Sequence, residues 1–233
     1  DKVFTAASQF AHLGAAHFAK EFKISYPTVQ SVEICLDKVK FYKFFQENNL
    51  PIPTTNYLKN KNELIEYVNL IGTNKSYFLK SDYSKNPNYV YNFKGSDLEK
   101  INICWKNDNF FREHYILQEE FIGEHIRVNI IQKDFIIFPM KFGDKLSYTK
   151  EELLNFNIIS HLRDIVSKLG LNNWIIKFDL VVNNSAFVVL DIGMDPPFRL
   201  NLYYNKLSLN FAKYYTQHYL NNIINYPVLE YEY

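Results

Sequence analysis

Glycine is scarce in this chain. Seven of 233 residues are Gly (Gly14, Gly72, Gly95, Gly123, Gly143, Gly170 and Gly193), and no two stand closer than 20 positions; the usual share is roughly 7%. Phosphate-binding loops built on clustered glycines are therefore excluded, whether Walker A, G-x-G-x-x-G or kinase-type. Cysteine is scarcer still. Cys35 and Cys104 have no metal or redox spacing and are too few for a disulfide scaffold, so a reducing cytoplasm is the expected location. No apolar run approaches the roughly 18 residues of a membrane-spanning helix. Net charge is +1, from 26 basic and 25 acidic residues. No general attraction to nucleic acid or anionic membrane follows, and neither is expected as a partner.

Aromatic residues are abundant instead: 20 Phe, 18 Tyr and 2 Trp, 17% of the chain, enough to build a sizeable core. Apolar spacing predicts helices over 5–22, 31–49, 61–71 (closed by Gly72), 96–106, 151–169 (closed by Gly170) and 205–222. Strands are expected at 54–58, 76–80, 115–122, 125–132, 134–141, 174–182 and 186–192. The polar stretch 81–92 reads as a loop or mobile hairpin. This mixture indicates an α+β fold in two lobes, built from antiparallel sheets packed with helices, with the lobe boundary near 113–122. The chain opens at Asp1 in what reads as the middle of an element, so a preceding segment is expected.

Chemistry concentrates late in the chain. A three-residue turn at 183–185 would pair Asp179 with Val189 and Lys177 with Asp191. Lys177, Asp179 and Asp191 would then share one face, the two acids as diagonal neighbours about 7–8 Å apart. A turn with an even number of residues would break that arrangement. Carboxylates projecting from apolar strands call for a partner. A magnesium ion carrying phosphates would serve, being held by one or two carboxylates plus phosphate oxygens. An ion pair between Lys177 and Asp191 on a solvent-facing side explains the same residues. Arg199, one of four arginines in a Lys-dominated chain, follows directly in Asp191-Ile-Gly-Met-Asp-Pro-Pro-Phe-Arg199, and Arg binds carboxylate and phosphate bidentately.

Read in order, these segments resemble the ATP-grasp ligases. Asp37-Lys38 with Asn49-Leu-Pro-Ile-Pro53, then Phe78-Leu-Lys80, look like the family's opening helix and its phosphate-contacting strand. Ile116-Leu-Gln-Glu-Glu-Phe-Ile-Gly-Glu-His-Ile-Arg-Val128 looks like the hinge, and Lys177-Phe-Asp179 with Asp191-Ile-Gly-Met-Asp-Pro-Pro-Phe198 like the metal-binding strands. The resemblance implies a remnant of a preceding Rossmann-like domain over 1–36. A first lobe would span 37–115 with a flap at 81–95, and a second 116–233 with the metal hairpin at 174–192; the nucleotide would lie between them. It implies ATP and Mg2+ as cofactors. Lys38 and Lys80 would meet the phosphates. Glu119 and the backbone of Glu120, Phe121 and Ile122 would meet the adenine, and Glu124 the ribose. Phe78, Phe121 and Met140 would wall the base. Asp179, Asp191 and Asp195 would bind the metal. Lys177, Arg127 and Arg199 would act on the transferring phosphoryl group or hold a substrate carboxylate.

The implied function is a carboxylate–amine ligase that activates a small-molecule carboxylate as an acyl phosphate for a nucleophile; a homodimer is compatible with it. Three departures favour a rival reading, an ATP-binding module or degenerate subunit without turnover. The flap segment after Lys80 lacks glycine, Asp191 replaces the family's Glu, and Gly193 stands where the family has a second metal ligand, Asn. A structural α+β domain with coincidental motifs is the third reading.

Overall fold

The computed structural model describes residues 2–3, 5, 9–81, 90–97, 115–131, 134–139, 146–148, 151–152, 157–184, 186–195, 201–202, 204–205 and 209–221. Residues 98–106 of the expected helix, most of the flap, Met140 and Arg199 lie outside these residues. In chain order the elements are α1 (Gln9–Glu21), α2 (Val29–Leu36), α3 (Lys38–Glu47), β1 (Thr55–Leu58), α4 (Lys61–Ile71), β2 (Ser76–Ser81), β3 (Val90–Lys94), β4 (Tyr115–Glu119), β5 (Glu124–Ile131), β6 (Asp134–Pro139), α5 (Ile158–Lys168), β7 (Ile175–Val182), β8 (Phe187–Gly193) and α6 (Phe211–Asn221). Among the described residues no helix is long and apolar enough to cross a membrane.

The strands form two four-stranded sheets, β1-β4-β2-β3 and β6-β5-β7-β8, with antiparallel pairing throughout. Alternation divides the first sheet. Tyr77 and Leu79 on β2, and Tyr115 and Leu117 on β4, join Leu58, Phe93 and the α4 residues Leu64 and Val68 in a small core. Their neighbours Phe78, Lys80 and Gln118 point the other way and line a pocket. The second sheet carries the larger core. Ile126, Val128 and Ile130 on β5 and Ile176, Phe178, Leu180 and Val182 on β7 pack with α5 and with residues of α1, α2 and α3.

β3 falls partly where the sequence pattern indicates a loop or mobile hairpin over 81–92, and three further elements depart from the pattern for local reasons. The helix expected over 31–49 is two helices, because Asp37 is extended (φ −96°, ψ 116°) and its carboxylate accepts the Lys40 amide at 2.9 Å. One Asp thus closes α2 and caps α3. In the 151–169 stretch, Asn157 adopts a left-handed conformation (φ 54°), and α5 starts beyond it. The β7–β8 hairpin also has a different register. Val182 pairs with Phe187 and Leu180 with Val189, so the connection over 183–186 has an even number of residues. A register shift between Asp179 and Leu180 then leaves Leu190 unpaired and brings Asp179 directly opposite Asp191. The bulge restores the shared face that the even turn would have destroyed.

Candidate nucleotide site

The pocket lies between the two sheets and has a volume of about 500 Å³. Eight of the residues singled out in the sequence line it: Lys38, Phe78, Lys80, Glu119, Glu120, Phe121, Asp179 and Asp191. Each arrives for a structural reason. Lys38 opens α3 beside the Asp37 cap. Lys80 and Gln118 occupy pocket-facing positions on adjacent strands. Asp179 and Asp191 are cross-strand partners, a relation that sets Cβ atoms about 4.5–5.5 Å apart.

Lys80 is strongly perturbed in the site. Burial in the cleft, reinforced by the nearby Lys38 ammonium and only partly countered by Asp191, pushes its amine down from 10.5 to about 7. Its Nζ donates to Gln118 Oε1 and, at 3.3 Å, to the Tyr42 hydroxyl. Burial, with Asp191 nearby, raises the Tyr42 phenol well above its ordinary value, so its proton stays on.

The acidic residues are held by cations of the same chain. Arg127, opposite Asp179 in the β5–β7 ladder, donates to it from Nε at 2.6 Å and from Nη2 at 2.8 Å. Lys38 Nζ stands 4.0 Å from Asp191. Lys177 Nζ meets both Asp195 oxygens at 3.1 and 3.0 Å. Lys177 pairs in register with Gly193 rather than Asp191. A Cβ at position 193 would come within 2.6 Å of Lys177 Cε and 2.9 Å of Asp195 Oδ1, so the absent side chain makes room for this bridge.

Other expected residues fall outside the pocket lining. Ile122 is 80% exposed. Its carbonyl accepts from Asn183 Nδ2 at 3.2 Å. The Glu120 amide donates to the Ser76 carbonyl at 2.9 Å, holding the hinge to the first sheet. Glu124 accepts the Ser147 amide on both carboxylate oxygens. Glu119 reaches the pocket and also pairs with Lys75 at 2.8 Å. Conversely, Gln118 and Pro53 line the pocket although the motifs did not nominate them as its walls, and so does His125, the neighbour of Glu124 in the sequence. Gln118 was detectable as a polar side chain on the inward alternation of an apolar strand.

The donor set suits a hard cation. Asp179 and Asp191 present carboxylate oxygens on one face of the pocket, and a carboxylate bound bidentately by Arg keeps lone pairs for a further partner. Asp195 is turned toward Lys177. Among the described residues, no group of three or more His, Cys, Asp or Glu side chains is gathered around one point.

No protein-family model and no curated protein matches the chain. Solved structures do. An ATP-grasp RimK domain protein from Sphaerobacter thermophilus is 15% identical, with a TM-score of 0.69 over 91% of this chain and 78% of that one. The D-alanine–D-alanine ligase from Bacillus anthracis, in its complex with ATP, is 14% identical (TM-score 0.65, 88% of this chain and 72% of that one). An L-amino acid ligase from Bacillus licheniformis is 18% identical (TM-score 0.66), with 95% of this chain spanning 56% of that one. At such identities the likeness is one of architecture, and the chain has the two-lobed ATP-grasp fold.

Proposed function

We propose that this chain binds Mg-ATP between its sheets and uses it to join a carboxylate to an amine. The observation that carries this reading is the convergence of Lys38, Lys80, Asp179 and Asp191 on a pocket of nucleotide size, bounded by the hinge residues Glu119–Phe121. Lys38 and Lys80 would take the phosphate oxygens. Asp179 and Asp191 would hold one magnesium ion, which neutralises phosphate charge when bound. Phe78 and Phe121 would bracket the adenine. Arg127, Lys177 and Arg199 would orient the acceptor carboxylate and the transferring phosphoryl group.

The reaction proceeds in two balanced steps. A carboxylate oxygen attacks the γ-phosphorus, the bond to the β-phosphate oxygen breaks and ADP leaves. The amine nitrogen then attacks the acyl phosphate carbon, loses a proton and expels inorganic phosphate, forming the amide. The protein contributes orientation and fixed positive charge rather than covalent chemistry. The test is phosphate release from ATP in the presence of candidate acid and amine pairs. Release that requires both partners and yields ADP stoichiometrically is expected, and ATP binding without turnover across acid–amine panels would contradict the ligase reading.

One observation favours the rival reading, an ATP-binding module without turnover. Each of the three acids Asp179, Asp191 and Asp195 stands beside a cation of its own chain. A site neutralised internally has less call for a divalent ion. ATP affinity unchanged by chelation of magnesium would support it.

A further inference from the structure

Lys80 is held by a directed chain of hydrogen bonds whose orientation the geometry fixes. Thr55 Oγ1 donates to the Pro53 carbonyl at 2.7 Å. Its oxygen must therefore accept from Gln118 Nε2, at 2.8 Å. That sets the Gln118 amide with its nitrogen toward Thr55 and its oxygen toward Lys80 Nζ. The Tyr42 hydroxyl has two acceptors, the Leu190 carbonyl at 2.8 Å and Gln118 Oε1 at 3.2 Å; its one proton goes to the nearer, and its oxygen accepts from Lys80. All four side chains are buried or nearly so: Tyr42 0%, Gln118 1%, Thr55 7% and Lys80 8% exposed. Two of the three ammonium donors are thereby occupied, and the third is left for a ligand in the pocket that Lys80 lines.

The network also bridges the two sheets. Gln118, Thr55 and Lys80 belong to the first sheet. Leu190 is the bulge residue of β8, immediately before Asp191. The bulge thus has two effects: it brings Asp191 opposite Asp179, and its Leu190 carbonyl meets Tyr42. Through Tyr42, the amine of one sheet is set at a fixed place relative to the acids of the other. Lys38 and Tyr42 lie four residues apart on α3, one turn and one face, so the same helix supplies a lining cation and this tie.

We propose that Tyr42 and Gln118 are positioning residues for Lys80, aiming its amine at the phosphates of a bound nucleotide and fixing its place relative to the Asp179–Asp191 pair. This rests on the nucleotide reading above. A purely structural role would weaken the whole pocket, whereas a positioning role is felt where the phosphates are. The experiment is a titration of the full chain with ATP and, separately, with adenosine, for wild type, Tyr42→Phe and Gln118→Met. Both substitutions keep the buried volume close to its present value. Each is expected to weaken ATP binding by roughly tenfold, the scale of a lost charge-assisted hydrogen bond, while adenosine affinity stays within about twofold, since the adenine is assigned above to Phe78 and the hinge residues Glu119–Phe121 rather than to Lys80. Equal losses for ATP and adenosine, or no loss for ATP in either variant, would overturn the proposal. If wild type binds neither ligand, the nucleotide reading falls and takes this one with it; wild-type ATP binding with indifferent variants sinks this one alone.

Discussion

Among the described residues, the two sheets differ in how much apolar surface they bury. The second sheet shares a continuous core with five helices, from Ala16 on α1 to Tyr219 on α6. Among the described residues, the first sheet and α4 share a core of eight buried residues on one face of the sheet. Its other face is given to the pocket, where Lys80, Gln118 and Thr55 are buried polar groups. That pocket face carries Lys80, whose amine burial pushes down to about 7. Among the described residues the first sheet has fewer buried apolar contacts, and such regions open at lower free energy.

The contrast can be broken most forcefully in the cores. Phe178→Ala, in the larger core, is expected to cost about 3–5 kcal/mol and to lower the midpoint of the whole unfolding transition. Leu79→Ala should cost about 2–5 kcal/mol, but its effect should stay local. Amide exchange should accelerate in β1, β2 and β3 while β5, β7 and β8 keep their protection. Uniform acceleration across both sheets would erase the distinction.

Two glycines sharpen it at a finer scale. A Cβ at Gly123 would lie 2.3 Å from the Val182 carbonyl oxygen and 2.8 Å from its carbon. Backbone cannot yield cheaply, so Gly123→Ala should destabilise by about 1–3 kcal/mol in denaturant unfolding. Gly193→Ala meets the far ends of Lys177 and Asp195 instead. It should cost less than about 1 kcal/mol and show its effect in nucleotide or substrate affinity as the Lys177–Asp195 bridge moves aside. Similar stability losses for the two would contradict this account.

A smaller, pH-dependent effect comes from Lys80. Its amine titrates near 7 when folded, against 10.5 when unperturbed. Between these values the unfolded chain binds more protons, so stability attributable to this group rises with pH. The penalty is complete below about 7 and gone near 10.5. Lys80→Met should therefore reduce the gain in denaturant midpoint seen between pH 7 and pH 9.5. An unchanged slope would mean that the amine is better solvated than its surroundings indicate.

Much of this architecture was legible in the sequence. The strands at 76–80 and 174–182, and the helix at 61–71 ending at Gly72, follow from apolar period and cap chemistry. The fold class follows from their mixture. What periodicity did not reveal were features set by single residues: Asp37 splitting one helical pattern in two, Asn157 delaying α5, and Leu190 bulging out of β8. The register of the acidic hairpin rested on turn length, and two offsets, an even turn and a bulge, cancelled. The pairing of Asp179 with Arg127 was hidden because it depends on β5 lying beside β7, a tertiary fact. Tyr42 and Gln118 carried a faint signal, being polar atoms on otherwise inward positions, but which of many tyrosines would reach Lys80 was decided only by packing.

The central claim is that the cleft between the sheets is a magnesium-nucleotide site. Isothermal titration of the full chain with Mg-ATP in two buffers of different ionisation enthalpy addresses it directly near pH 7.5, a value chosen just above where the Lys80 amine titrates. The account predicts saturable binding accompanied by proton uptake, because phosphate charge draws a proton onto Lys80. It further predicts that Lys80→Ala abolishes the uptake and that Asp179→Asn weakens the affinity. Absence of binding at millimolar Mg-ATP, or binding indifferent to both substitutions, would contradict it.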